Sequence, residues 1–180
     1  MLPSLQLLEP AVYLQEAFLA YCRAFRAANE RLPYLAESAE QDFSAYLQKN
    51  RDAAQGNNLP PGYVPASTYW LVRDGQIIVG SSSLRHQLTP GLEDYGGHIG
   101  YMIHPQERRK GYGTLILKLT LEKAREKGIS RVLLTCDTDN LGSVGVIRNN
   151  GGVLASQAWH APSGKEISRY WITLEMLPAG

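Results

Sequence analysis

Residues 106–114 read Gln106-Glu107-Arg108-Arg109-Lys110-Gly111-Tyr112-Gly113-Thr114, three consecutive cations set against two glycines where an apolar run begins. Upstream, Gly97 to His104 (GHIGYMIH) has the composition of a strand. Downstream, Gly113 to Lys127 carries Leu115, Ile116, Leu119 and Ala124 as its inward side and is closed by Gly128, which predicts a helix. The stretch is thus a loop leading from a strand into a helix. Such a loop presents backbone N–H groups that have no intrahelical acceptor, and the helix dipole adds partial positive charge at the same place. Gly111 and Gly113 let a ligand approach the backbone, and phosphate is the guest that suits the arrangement. Charge-assisted hydrogen bonds of this kind contribute roughly 1.5 to 3 kcal/mol each, with Arg108, Arg109 and Lys110 attracting from the rim. For an isolated RRKGYG, a surface turn with solvated cations is an equal alternative.

Two better-known phosphate loops do not fit. A P-loop ends Gly-Lys-Ser/Thr, whereas the order here is Lys110-Gly111. A dinucleotide fingerprint needs a third glycine, and position 116 is Ile.

The chain has 180 residues, 44% hydrophobic and 19% charged, enough for one substantial core. Its 18 Lys+Arg nearly balance 17 Asp+Glu, leaving +1. With no global basic field, neither a nucleic acid nor an anionic membrane surface is an expected partner, and any anion site must be local. Cys22 and Cys136 lie far apart among apolar neighbours, which suits reduced core thiols and hence the cytoplasm. The start MLPSLQLLEP has no basic leader region, and no run reaches the roughly 18 apolar residues of a spanning helix. The four His have no metal-ligand spacing, so no metal is expected.

Around the loop, the pattern predicts a first strand over Leu5–Glu9, then a helix opened by Pro10 with Leu14, Phe18, Tyr21, Cys22 and Phe25 inward. A second helix takes Asp42 as N-cap, buries Phe43, Tyr46 and Leu47, and stops near Gly56. After a loop over 56–67, Asp74-Gly75 between two β-prone runs predicts a hairpin. Arg131–Cys136 reads as a covered strand, 141–149 as a short helix, and 153–159 with 167–174 as a closing hairpin.

In this context the run from Ile103 to Gly113, IHPQERRKGYG, resembles the acyl-CoA pyrophosphate loop of the GNAT superfamily of N-acetyltransferases: an apolar strand, a nearby proline, then Arg/Gln-x-x-Gly-x-Gly/Ala opening a helix. Asn140-Leu141-Gly142-Ser143 followed by Asn150-Gly151-Gly152 resembles the second signature of that family, and the two together cover roughly 97–153. The resemblance implies an α/β (α+β) fold with one GNAT-like domain over 1–180. Its central sheet is mixed, mostly antiparallel, with a splayed strand pair and flanking helices. A helical acceptor-side region would occupy about 10–56, the CoA-binding core about 97–153 and a terminal hairpin about 153–175.

The resemblance also implies roles. Acetyl-CoA would be the cosubstrate and a primary amine of a small molecule or peptide the acceptor. Tyr101, Met102 and Ile103 would pair with the pantetheine arm, the amides from Arg109 through Lys110, Gly111, Tyr112 and Gly113 to Thr114 would seat the pyrophosphate, and Arg108 holds the signature Arg/Gln position. Asn140 would bond the pantetheine from the far side, with Ser143 one helical turn on; both could equally cap the helix. The Met102 N–H is the expected oxyanion donor. His98 is the catalytic candidate as a base, with Glu93 and Asp94 as further candidates. One position departs from the family pattern: seven residues after the signature Asn, where many members carry a Tyr that protonates the leaving thiolate, this chain has Ile147. Tyr101, Tyr112 and Tyr170 are the available substitutes, and a non-catalytic acyl-CoA-binding or sensing domain is the alternative function. The acceptor cannot be read from Tyr13, Tyr21, Tyr34, Trp70, Trp159 or Trp171, and a homodimer, if formed, would use edge strands near the terminal hairpin.

Overall fold

The computed structural model describes residues 3–175. β1 (Leu5–Leu8) is tied to β2 (Ala66–Arg73) by an antiparallel ladder and by the Asp74 carboxylate, which accepts the Ser4 N–H at 2.9 Å. Asp74 and Gly75 both take positive φ, 52° and 70°, and turn β2 onto β3 (Ile77–Arg85). Two such residues in a hairpin turn match the twist of the strands they join. β4 (Ile99–Ile103) completes an antiparallel sheet of order β1-β2-β3-β4. A second antiparallel sheet, order β5-β7-β6, is built from β5 (Arg131–Asp137), β6 (Val153–His160) and β7 (Lys165–Thr173). The expected sheet, mostly antiparallel with a splayed pair, is thus present as two antiparallel sheets that meet at β4 and β5.

The front of the first sheet is covered by α1 (Gln15–Ala27), α2 (Ala36–Gln41) and α3 (Phe43–Gln55). Their core centres on Phe18, which stacks against Tyr46 at 5.1 Å and Trp70 at 4.6 Å, two rings that lie 6.3 Å from each other. Burying each such side chain contributes about 1.5–3 kcal/mol, so this cluster fixes α1 on the sheet. α3 is opened by Asp42, whose carboxylate accepts the Ala45 N–H, and closed by Gly56, as expected. Pro10 does not open α1: Ala11 is still extended (φ −137°, ψ 150°), and a 3-10 turn over Val12–Leu14 leads into the helix. The five residues expected inward, Leu14, Phe18, Tyr21, Cys22 and Phe25, are all buried.

On the back, α5 (Tyr112–Glu126) and α6 (Leu141–Asn149) cover the junction of the two sheets. α5 touches both of them, so its buried stripe is wider than the sequence pattern indicates: Leu117, Thr120 and Leu121 join Ile116 and Ala124, while Leu115 and Leu119 are half-buried. α4 (Pro90–Asp94), capped by Thr89, interrupts the connection from β3 to β4. No helix among the described residues is long and apolar enough to cross a membrane.

β4 and β5 touch through one joint. The His98 N–H donates to Leu133 O at 2.7 Å, and the Leu133 N–H donates to His98 Nδ1 at 2.9 Å. A Cβ at Gly97 would lie 2.5 Å from Leu133 O, so only glycine lets the two backbones come this close. Beyond the joint, β4 pairs with β3 alone, and a gap opens between β4 and β5 towards Ile103.

Candidate functional site

The loop found in the sequence stands at the open end of this gap. A 3-10 turn over Pro105–Glu107 leaves β4, Arg109 and Gly111 take positive φ (64° and 82°), and α5 begins at Tyr112. The first helical bond runs from the Leu115 N–H to Gly111 O at 3.1 Å. No backbone N–H from Arg108 to Thr114 donates to an acceptor among the described residues. Seven adjacent donors at the positive end of a 15-residue helix are an arrangement that suits an anion. A non-glycine residue with positive φ is uncommon, and here Arg109 supplies the reversal that gathers the donors.

Of the three cations, two are already engaged. Arg108 makes a bidentate pair with Glu30 at 2.8 and 2.5 Å and donates Nε to Ile103 O at 3.3 Å. Lys110 pairs with Glu107 at 2.8 Å, as does Arg73 at 3.0 Å, and Arg73 also reaches Tyr112 Oη at 3.2 Å. Lys110 and Arg73 hold the Glu107 carboxyl below its usual range, and Arg108 does the same for Glu30. Arg109 makes no ion pair among the described residues and is the free cation of the rim. The two glycines differ as well. Gly111 faces open space, whereas a Cβ at Gly113 would meet Val146 at 2.9 Å, so Gly113 serves the packing of α5 on α6.

The edge of β4 continues the seat inward. Arg85 N–H bonds His98 O (2.8 Å) and His104 N–H bonds Val79 O (3.0 Å), with an unbroken register between them. Residues alternate along a strand, so Gly100, Met102 and His104 turn their peptide groups to β3, as His98 does its carbonyl alone, and Tyr101 and Ile103 turn theirs to the gap. This corrects the expected oxyanion donor: the Met102 amide faces β3, and Met102 O accepts from Tyr21 Oη at 3.0 Å. The backbone donors that face the gap are those of Tyr101 and Ile103. Across the gap, Asn140 caps α6 by accepting the Ser143 N–H at 3.0 Å, the structural alternative weighed from sequence, and its amide nitrogen has no partner among the described residues. Asn150 donates to Thr114 O and Val146 O, fastening α6 to the first turn of α5.

A model of the acetyltransferase (GNAT) domain matches residues 12–153, which is most of the chain. The chain belongs to the GNAT acetyltransferase family. Three solved GNAT structures show the same fold. RimL, a ribosomal L7/L12 alpha-N-protein acetyltransferase in complex with coenzyme A, aligns with TM-score 0.70 at 19% identity over 95% of this chain and 94% of its own. Mycobacterium smegmatis RimJ aligns with TM-score 0.71 at 16% identity over 97% and 84%. MccE, a microcin C7 self-immunity acetyltransferase in complex with acetyl-CoA and AMP, aligns with TM-score 0.69 at 16% identity over 94% and 92%. No curated protein sequence matches at a significant level.

Within this GNAT domain the proton-handling residues expected from sequence are mostly engaged elsewhere. His98 is 7% exposed, and its Nδ1 lone pair is taken by the Leu133 N–H. A neutral ring accepting at Nδ1 carries its proton on Nε2, so neither nitrogen is left to receive one. Burial and Arg85 also hold its pKa below the ordinary value. The geometry thus gives His98 the work of a joint and opposes the expectation of a base. Asp94 is paired with Arg169 and faces His160 Nε2 at 3.5 Å. Glu93 is exposed, and its carbonyl accepts from Arg169. Ile147 is 1% exposed in the core, and Gly152 gives it room, since a Cβ there would lie 2.3 Å from Ile147 Cγ2. Tyr170 is sealed in the same core and the Tyr112 hydroxyl is held by Arg73, which leaves Tyr101 among the substitutes.

Sequence reading missed the opening on the front face. Ile99, Tyr101 and Ile103 pack towards α5, so Gly100 faces forward between His98 and Met102. A Cβ at Gly100 would meet nothing within 4 Å. Its ladder partner Ser83 and, two residues on, Ser81 share that face, and Ser81 is bonded to Tyr21 Oη at 3.1 Å. A glycine opposite a serine in a strand is the trace that this floor leaves in the sequence.

Proposed function

We propose that the protein transfers an acetyl group from acetyl-CoA to a primary amine. The observation that carries this reading is the run of seven N–H groups from Arg108 to Thr114 that have no acceptor among the described residues, continued into the gap by the edge amides of Ile103 and Tyr101. A pyrophosphate fits the first set, and an amide-bearing arm fits the second as a missing strand would. Arg109 would face the phosphates, while Arg108 holds the loop to α1 through Glu30. The Asn140 amide nitrogen would meet the arm from the β5 side. The Tyr101 or Ile103 N–H would support the carbonyl oxygen on which charge develops.

The amine would come from the front, over Gly100 and the Ser81 and Ser83 hydroxyls. This floor carries no carboxylate, so it suits an amine that arrives neutral and gives up its proton to water. Names among the structural neighbours point to ribosomal-protein α-amino groups in RimL and to microcin C7 self-immunity in MccE. The first of these presents a primary amine, and an exposed amino group of a peptide or small molecule is the acceptor class proposed here.

Calorimetry with acetyl-CoA tests the reading: micromolar or tighter binding is expected, and no binding contradicts it. Gly100→Val should keep that binding and lose transfer to every amine that the wild type accepts. The sealed position of Ile147 favours a second reading, a domain that binds acyl-CoA without transfer. Binding without release of CoA thiol across an amine panel would establish the second reading over the first.

A further inference from the structure

One hydroxyl beside the gap is buried without a partner. Tyr101 Oη is closed off from solvent and makes no hydrogen bond among the described residues; Trp70 Nε1 is the other such atom. An unpaired buried hydroxyl costs free energy, so its presence calls for a group that meets it in the working state. Trp70 sits in the front core, stacked on Phe18 and away from the gap. Tyr101 is placed differently. Its ring packs both with the cluster of α5 and β3 and with the cluster of β5 and α6, so it bridges the two lips. Burial disfavours its ionised form, Ser143 on α6 acts the other way without completing a hydrogen bond, and Cys136 adds to the burial from β5.

Two fixed points bracket where a thioester would lie. The anion seat is beyond Ile103, and at His98 the strands close with a 2.7 Å backbone bond. An arm that passes Ile103 must end before His98, and Tyr101 is about 7 Å along the strand from Ile103.

We propose that Tyr101 Oη donates the hydrogen bond that stabilises the sulfur leaving the thioester, a catalytic role that the sealed Ile147 cannot fill. The proposal rests on the acetyl-transfer reading above. In that step the amine nitrogen forms the C–N bond with its lone pair, the C–S bond breaks, and its electron pair goes to sulfur. The amine's proton passes to water. The thiolate is held by the Tyr101 O–H until solvent protonates it. The phenol keeps its own proton: burial pushes it up to about 12, well above a thiol near pKa 8.5.

The thiolate absorbance of bound CoA, titrated from neutral to alkaline pH in the wild type and in Tyr101→Phe, reads this without any acceptor. Cys22 and Cys136 do not interfere at neutral pH, since burial pushes them up to about 12 and 11. The bound thiol should ionise about tenfold more readily in the wild type, one pK unit lower than in the variant. Equal thiol pKa values in the two proteins overturn the proposal and leave cofactor binding standing. Failure of CoA to bind either protein, seen by calorimetry, overturns the acetyl-transfer reading and this one with it. Without ligand, Tyr101→Phe should keep or gain stability, because it removes an unpaired hydroxyl. A fall in Tm of more than about 4 °C, near 1 kcal/mol for a chain of this size, would assign the hydroxyl a structural role instead.

Discussion

Two glycine turns flank β4, and they differ in what their backbone groups do. At its start, Gly96 N–H bonds Thr135 Oγ1 (2.9 Å), Gly97 N–H bonds Leu92 O (2.8 Å) and His98 N–H bonds Leu133 O (2.7 Å). The three carbonyls accept from Arg85, two of them from its guanidinium and His98 O from its N–H. At the far end, the N–H groups from Arg108 to Thr114 have no protein partner among the described residues. Both turns are rich in glycine, and both lie beside the β4–β5 gap. One is a joint and the other is the proposed seat. What separates them is whether the peptide groups are already satisfied, a property that glycine content does not reveal.

The largest test of the contrast falls on the joint. Gly97→Val would drive a side chain into Leu133 O at a residue with φ of 60°, and should destabilise the fold by about 3 kcal/mol or more; a denaturant midpoint within error of the wild type would break the comparison. On the seat, Arg109→Ala should leave that midpoint unchanged and weaken acetyl-CoA binding roughly tenfold, about 1.4 kcal/mol, with a shrinking difference as salt rises. Arg108→Ala, already neutralised by Glu30, should weaken it less than threefold.

The joint is also the place where pH acts. His98 has a folded pKa below its ordinary value because burial, and then Arg85, disfavour the cation. As pH falls below about 6.5 the unfolded chain takes up the proton first. The His98 contribution to stability is therefore full above that pH and lost as pH falls through the folded value. Stability should decrease between about pH 7.5 and 5.5, and His98→Gln should flatten part of the slope. His86 and His104, also lowered by burial, account for another part. A slope unchanged in His98→Gln would remove His98 from the account.

The strand, loop and helix around the proposed seat were legible because their signals are local: a strand, two glycines and a helix within some thirty residues, with Asn140 as a second signature. The bounds of α6 and the caps of α3 at Asp42 and Gly56 were legible for the same reason. α2 and α4, six and five residues long, are too short to show a helical period, although Thr89-Pro90 is a readable start. The features that read differently in the structure depend on partners far away in sequence. His98 looks like a base until Leu133 occupies its nitrogen, and Met102 looks like a donor until register with Ser81 fixes the phase of the strand. Arg108 looks like an unpaired rim cation until Glu30, seventy-eight residues earlier, is found to pair with it.

Hydrogen exchange resolved by residue, with and without acetyl-CoA, tests the central claim that the free amides of this loop are the seat. The account predicts that N–H groups from Arg109 to Thr114 exchange fast in the free protein and slow by at least about tenfold on binding, while those of Gly96 to His98 are slow in both states. Binding that leaves the Arg109 to Thr114 amides unprotected would contradict it.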